Sequence, residues 1–199
     1  MYKFLIVPLS QMPLAEEFLT EGEMRYYQTL KIEKRKNDFA LGRYALKLLI
    51  KGHFIDTEYK DIEILKHDDG HPLLSVNGAD PGLYISISHS NGVAAVAASS
   101  TNKVGIDIEK IEDRSNAWAE MVFTKAELTG YNAAYLTTLW AKKEAVLKLY
   151  GLGLSVGMHD VEFVGDEIKL HGKLAGKDSN IKVDVKTDFE DFVTAVVYI

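Results

Sequence analysis

The chain has 199 residues, 47% hydrophobic and 26% charged, the balance of an ordinary globular protein with enough length for one large domain or two half-size lobes. A formal net charge of −6, from 29 acidic against 23 basic residues, argues against general nucleic-acid binding, which needs basic surface to displace counterions from phosphates. The lack of cysteine excludes disulfides, thiolate metal sites and cysteine nucleophiles, and fits a reducing compartment.

The opening YKFLIVPL reads as a strand. Its apolar run is too short to span a membrane, lacks a basic leader and contains Pro8, so neither a secretion signal nor a membrane partner is expected and the protein is read as cytoplasmic. Residues 31–51 form a long helical pattern stopped by Gly52. It opens on the basic run KIEKRK at 31–36, continued by Arg43, Lys47 and Lys51, which reads either as a solvated helix face or as a local patch for an anionic partner. DIEIL at 61–65 alternates as a strand, and HDDGHP at 67–72 is turn chemistry. LYISISHS and VAAVAASS flank Asn91-Gly92, a type I′ hairpin signal because both central residues of that turn need positive φ. Thr101-Asn102 turns the chain again into VGIDIE, so a three-strand antiparallel meander is expected, with VGIDIE as its third strand. Helices are expected over about 115–122, 124–130 and 133–150, followed by the strands VEFV, EIKLHG, NIKVDVK and DFVTAVVYI. Each half reads as a helix plus antiparallel strands. Two similar lobes, 1–102 and 103–199, packed into one unit without a linker, are the expected domain organisation.

In VGIDIE, Val104, Ile106 and Ile108 alternate as one face of a strand, which leaves Asp107 and Glu109 together on the other, about 6–7 Å apart at the usual rise. Two like charges side by side repel, and if buried they also lose hydration, unless a cation sits between them. The bland alternative is a solvent-facing polar strand. In the helix over 133–150, Leu136, Leu139, Lys143, Leu147 and Tyr150 share a stripe, while Trp140, Glu144 and Lys148 run at i, i+4, i+8 along its edge. Seen alone, Glu144 and Lys148 make an ordinary helix pair worth about 0.2–0.5 kcal/mol. Carboxylate oxygens suit a hard divalent ion, and Glu144 could join the acid pair as a third ligand. Ser88-His89-Ser90 offers hydroxyl and imidazole donors of the kind that hold phosphate oxygens. Thr124 and Glu127, in FTKAE, fit a capping box, with a catalytic role for Glu127 as the open alternative.

Together and in this order, LGR (41–43), GHP (70–72), ISHS (87–90), GIDIE (105–109), FTKAE (123–127) and WAKKEAVLKLYGLGL (140–154) resemble the 4′-phosphopantetheinyl transferases of the Sfp type. These enzymes activate carrier proteins of fatty-acid, polyketide and non-ribosomal peptide synthesis. The resemblance implies an α+β fold, the 4′-phosphopantetheinyl transferase fold, whose two related lobes pack as a pseudo-dimer within a monomer, with coenzyme A in the cleft between them. It implies transfer of 4′-phosphopantetheine from coenzyme A to a serine of an apo acyl, peptidyl or aryl carrier protein, releasing 3′,5′-ADP.

By the same resemblance Asp107, Glu109 and Glu144 hold Mg²⁺, with Mn²⁺ as the alternative ion; Lys148 contacts the phosphates; and Arg43, His71, Ser88 and His89 bind the phosphate end of the nucleotide. Glu144 and Lys148 are the expected catalytic pair. Glycines 151 and 153 let the chain turn beside the ligand. His71 departs from the family pattern, which commonly has lysine before the proline of the G-x-P segment. Two other classes compete: a non-catalytic module that binds coenzyme A or a carrier, which would not need the full acid set, and an unrelated Mg²⁺-dependent phosphoesterase, which would leave Trp140 and the KEAVLK helix unexplained.

Overall fold

The computed structural model describes all residues except 67–70, 129–131, 153–154, 166 and 188. The chain divides into two compact units, Met1–Val104 and Gly105–Ile199, each mixing helices with antiparallel sheet.

In the first unit the order is β1 (Lys3–Pro8), α1 (Ala15–Phe18), α2 (Glu21–Thr29), α3 (Glu33–His53), β2 (Ile62–Lys66), β3 (Pro72–Val76), β4 (Tyr84–Ser90) and β5 (Val93–Ser99). A sheet of order β1-β5-β4 packs against α3, and β2-β3 form a separate hairpin. The core joins Leu41, Ala45, Leu46, Leu49 and Ile50 of α3 to Val7, Ala94, Val96 and Ala98 of the sheet. Small residues along β5 let the helix lie close. The β4-β5 hairpin turns at Asn91-Gly92, whose φ values of 45° and 76° are those the turn demands. Gly52 does not stop α3, which runs on to His53 and closes at Phe54. HDDG of the expected turn at 67–72 lies outside the described residues, and His71 stands just before β3.

The second unit begins within β6 (Val104–Lys110) and continues with α4 (Asn116–Val122), α5 (Ala133–Leu149), β7 (Val161–Val164), β8 (Glu167–Leu170), β9 (Lys182–Lys186) and β10 (Phe192–Tyr198). Its main sheet has the order β6-β10-β9, with α5 against β10, and β7-β8 form a hairpin. The two units therefore share one element order: strand, helices, hairpin, and two strands of which the last pairs with the first.

That topology overturns the expected meander. β5 has only two edges, and β1 and β4 take both, so VGIDIE joins β10 in the other sheet instead. The helix expected over 124–130 is also absent at its start: residues 125–127 form a turn, and 129–131 lie outside the described residues.

Each unit also contains the same buried clasp. In the first, Lys47 of α3 donates to Glu23 Oε2 at 2.6 Å and to the carbonyls of Phe18 and Tyr59, while Ile64 N–H donates to Glu23 Oε1 and Thr20 N–H to Oε2. In the second, Lys143 of α5 donates to Glu127 Oε2 at 2.7 Å and to the carbonyls of Val122 and Met158, while Phe163 N–H donates to Glu127 Oε1 and Thr124 N–H to Oε2. Even the threonine hydroxyls match, donating to Glu63 and Glu162. Burial lowers the pKa of both lysines and the facing carboxylate opposes it. The solvated reading of the Arg43–Lys47–Lys51 stripe thus fails at Lys47, which is wholly buried.

Candidate functional site

Gly105 sets the geometry of the second unit's site. A Cβ there would lie 2.1 Å from Ala145 O and 2.8 Å from Leu149 N, both backbone atoms of α5. Only glycine lets β6 approach α5 so closely. Gly105, Asp107 and Glu109 share the strand face turned to the helix, which is why Asp107 is 3% exposed rather than on a solvent-facing surface. Gly105→Ala is expected to cost at least about 3 kcal/mol through overpacking against backbone that has nowhere to move. Thermal unfolding followed by circular dichroism checks it, and a midpoint within a few degrees of wild type contradicts this close packing.

The edge residues of α5 meet the acids in reverse order. Lys148 Nζ donates to Asp107 Oδ1 at 2.7 Å, and Trp140 Nε1 donates to Glu109 Oε1 at 2.9 Å. From 140 to 148 the helix rises about 12 Å, more than the spacing of the acid pair, so tryptophan and lysine reach inward from the two ends and Glu144 lies between. Lys148 directs its ammonium to Asp107, not into an ordinary pair with Glu144. Glu144 is pushed up to about 7, by burial first and then by the charges of Asp107 and Glu109, with Lys148 acting the other way.

Two features here lay beyond the motif reading. Arg114 Nη2 lies 3.8 Å from Glu109 Oε2, with its guanidinium 4.4 Å from the ring centre of Trp118, and Trp118 packs on Trp140 at 5.4 Å. Glu127 is 1% exposed and bonded into the Lys143 clasp, so it is more than a cap. Lys143 had been visible only as a polar residue on an apolar stripe. Gly151, at φ 66°, makes the turn after α5 that its position requires, while Gly153 lies outside the described residues.

Among the described residues no group of three or more histidine, aspartate or glutamate side chains forms a ready-made metal cluster. Lys148 faces Asp107 and Arg114 faces Glu109. The donor set nonetheless fits a hard divalent ion: Asp107 and Glu109 each raise the charging cost of Glu144, and carboxylate oxygens that repel one another are what such an ion reconciles.

The first unit holds a cavity of about 700 Å³, walled in part by Tyr26, Phe39 and Pro72 with Arg35, Arg43 and His89 as its cationic or imidazole groups. Arg43 donates to the carbonyls of Ile64 and Phe39, and its pKa is lowered to about 10, by burial first, with Glu23 opposing. His89 Nδ1 stands 3.8 Å from Asp38 Oδ2, which also accepts from Lys34. Strand alternation separates the expected donors on β4. Ile87 and His89 face this cavity, whereas Ser88 is buried on the other side of the strand. The structure thus brings Arg43 and His89 to one cavity and does not bring Ser88 to it. Pro72 lines the wall, and His71 is the half-buried residue before it.

The 4′-phosphopantetheinyl transferase superfamily model matches residues 103–197. Over 84 residues the chain is 36% identical to a holo-[acyl-carrier-protein] synthase of Geobacillus sp., covering 40% of this chain and 70% of that protein. The chain belongs to the 4′-phosphopantetheinyl transferase superfamily. The 4′-phosphopantetheinyl transferase HetI of Nostoc sp. is 25% identical over 157 residues, 74% of this chain and 66% of that protein. A crystal structure of the Bacillus anthracis holo-(acyl-carrier-protein) synthase is similar at 25% identity and a TM-score of 0.44, covering 49% of this chain and 91% of that one. The superfamily match falls on the unit that carries Asp107, Glu109, Glu144 and Lys148, while the longer Nostoc alignment cannot be confined to that unit, being wider than it. Among the described residues no helix is long and apolar enough to cross a membrane.

Proposed function

We propose that this transferase moves 4′-phosphopantetheine from coenzyme A to a serine hydroxyl of an apo carrier protein. The observation that carries the reading is the convergence of Lys148 on Asp107 at 2.7 Å beside a Glu144 held near pKa 7. In the metal-free protein a carboxylate of that pKa is half-charged at neutral pH, able to take up or release a proton there. The serine oxygen bonds to the β-phosphorus as the bond to 3′,5′-ADP breaks, and Glu144 accepts the serine proton. Lys148 supplies positive charge to the phosphate oxygens once it leaves Asp107. Asp107, Glu109 and Glu144 would hold Mg²⁺, or Mn²⁺ in its place, which when bound offsets the charge of the pyrophosphate. Arg43 and His89 would receive the phosphate end of the nucleotide in the first unit's cavity, with Ser88 and His71 as further candidates. The protein acts in the cytoplasm as a monomer of two related lobes, without nucleic acid or membrane.

Incubation with coenzyme A, Mg²⁺ and a panel of apo acyl and peptidyl carriers tests it. Mass spectrometry should find one phosphopantetheine added to the carrier serine; no addition to any carrier, or hydrolysis of coenzyme A without an acceptor, would refute the reading.

The carrier surface we place on the basic run at the start of α3. Lys31, Lys34 and Arg35 are exposed, and Lys36 lies 5.6 Å from the ring centre of Tyr27. Arg35 belongs to the cavity wall, so Lys31 and Lys36 are the cleaner pair to change. Reversing both to glutamate should raise the KM for an acidic carrier severalfold at low salt, with the effect fading as salt rises, and leave the KM for coenzyme A unchanged. An unaltered carrier KM would return the run to solvent.

A further inference from the structure

The two clasps share their bonding pattern but differ in charge at one helix position, and that difference points into the cavity. One helical turn before the buried lysine, the second unit has Leu139, an apolar core residue. The first unit has Arg43 at the equivalent place, and its Nε lies 3.5 Å from Glu23 Oε1. This is an ion contact, not an aligned hydrogen bond: Nε is buried and donates to no partner among the described residues. Ile64 closes the frame from both sides, its N–H donating to Glu23 Oε1 and its carbonyl accepting from Arg43 Nη2. The Phe39 ring lies 3.5 Å from the guanidinium carbon and backs its face. Glu23 itself is 4% exposed and locked by Thr20 and Lys47. A long flexible cation is thus held in one orientation at a cavity wall by a carboxylate that cannot move, and groups fixed before a ligand arrives bind it with less ordering cost.

We propose that Glu23 is a positioning residue for Arg43, holding its guanidinium ready for the phosphate of a nucleotide in the first unit's cavity. This rests on the coenzyme A reading. The second unit's clasp, Glu127 with Lys143, serves as the internal control, because it has the same bonds and no arginine.

The test compares Glu23→Gln with Lys47→Met against Glu127→Gln with Lys143→Met. Changing both partners avoids leaving Lys47 or Lys143 as a buried ammonium without its carboxylate. Arg43 loses Glu23 in the first pair but keeps the Ile64 and Phe39 carbonyls at the cavity wall, so each protein should stay folded. Two measurements are made: the ¹⁵Nε–¹Hε resonance of Arg43, which needs no ligand, and calorimetric binding of 3′,5′-ADP. The Glu23 pair should shift and broaden the Arg43 signal and raise the Kd for 3′,5′-ADP about tenfold, the loss expected for one pre-aimed charged contact. The Glu127 pair should change neither. Glu23→Asp, which keeps the charge and draws the carboxylate back by one methylene, should give a smaller change in the same direction. An Arg43 signal unmoved by the Glu23 pair overturns the proposal, as do equal affinity losses from the two pairs. If the wild-type protein does not bind 3′,5′-ADP, the coenzyme A reading fails, and the Arg43 signal alone then decides whether Glu23 positions it.

Discussion

Glu144→Gln is expected to lower phosphopantetheine transfer by about 10²–10⁴-fold, the range for losing a positioned proton acceptor, and at the same time to stabilise the metal-free protein above pH 7. The second effect follows from the raised pKa. In the folded chain Glu144 keeps its proton up to about pH 7, because burial and then the charges of Asp107 and Glu109 disfavour ionisation. An unfolded chain releases that proton near the ordinary glutamate value of about 4.3. Between those two values the folded state binds more protons, so stability falls as pH rises through the window and the full penalty persists above it. Glutamine has no charge to place. The variant should lack this slope and gain about 1–3 kcal/mol at pH 8 relative to wild type. Thermal melts from pH 4 to 8 in chelator, together with single-turnover transfer, check both halves. Near-normal turnover would remove Glu144 from the chemistry, and an unchanged slope would remove it from the charge cluster.

Glu127→Gln should act in the opposite manner, costing stability rather than chemistry. Lys143 is wholly buried and donates to Glu127 at 2.7 Å, so losing the carboxylate's charge leaves an ammonium in the core supported by the Val122 and Met158 carbonyls and the more distant charge of Glu162. Breaking one side of such a pair costs about 3–5 kcal/mol. Adding Lys143→Met should recover most of that. The folded fraction of Glu127→Gln should turn over far better than Glu144→Gln, as the partners of Glu127 are Thr124, Lys143 and Phe163 rather than Asp107 or Glu109. Urea unfolding with activity normalised to folded protein measures this. A severe loss of turnover in a stably folded variant would move Glu127 into the site.

Local chemistry accounts for what could be read along the chain. The hairpin at Asn91-Gly92, the strand nature of VGIDIE, the helix over α5 and the strands of the C-terminal stretch depend on turn residues and on periods of two or 3.6, which near neighbours dictate. The alignment of Trp140, Glu144 and Lys148 along one edge follows from helix geometry alone. What Asp107 faces does not. Alternation could say that Asp107 and Glu109 share a face, but whether that face meets water or a helix depends on Gly105 and on backbone of α5 some 40 residues further on.

The pairing of VGIDIE was hidden for a similar reason. A turn at Thr101-Asn102 favours a meander locally, yet the edge of β5 that it would need is taken by β1, from the far end of the same unit. Such competition for an edge is a tertiary matter. The basic stripe of α3 shows the same limit. Arg43, Lys47 and Lys51 look alike as spaced cations, but Lys47 is enclosed by Glu23, Phe18 and Tyr59, Arg43 lines a cavity, and Lys51 reaches Thr57 and Glu58. Most of the elements, the ordered motifs and the set of residues that could do chemistry were legible along the chain, because each depends on covalent neighbours; α1, α2 and β3 were not, and 125–127 form a turn instead of a helix start. Only the tertiary structure decided which cations are buried, that Ser88 and His89 face opposite ways with just one of them at the cavity, and that one Thr–Glu–Lys clasp is built twice, because burial and long-range partners are fixed by what packs across the core.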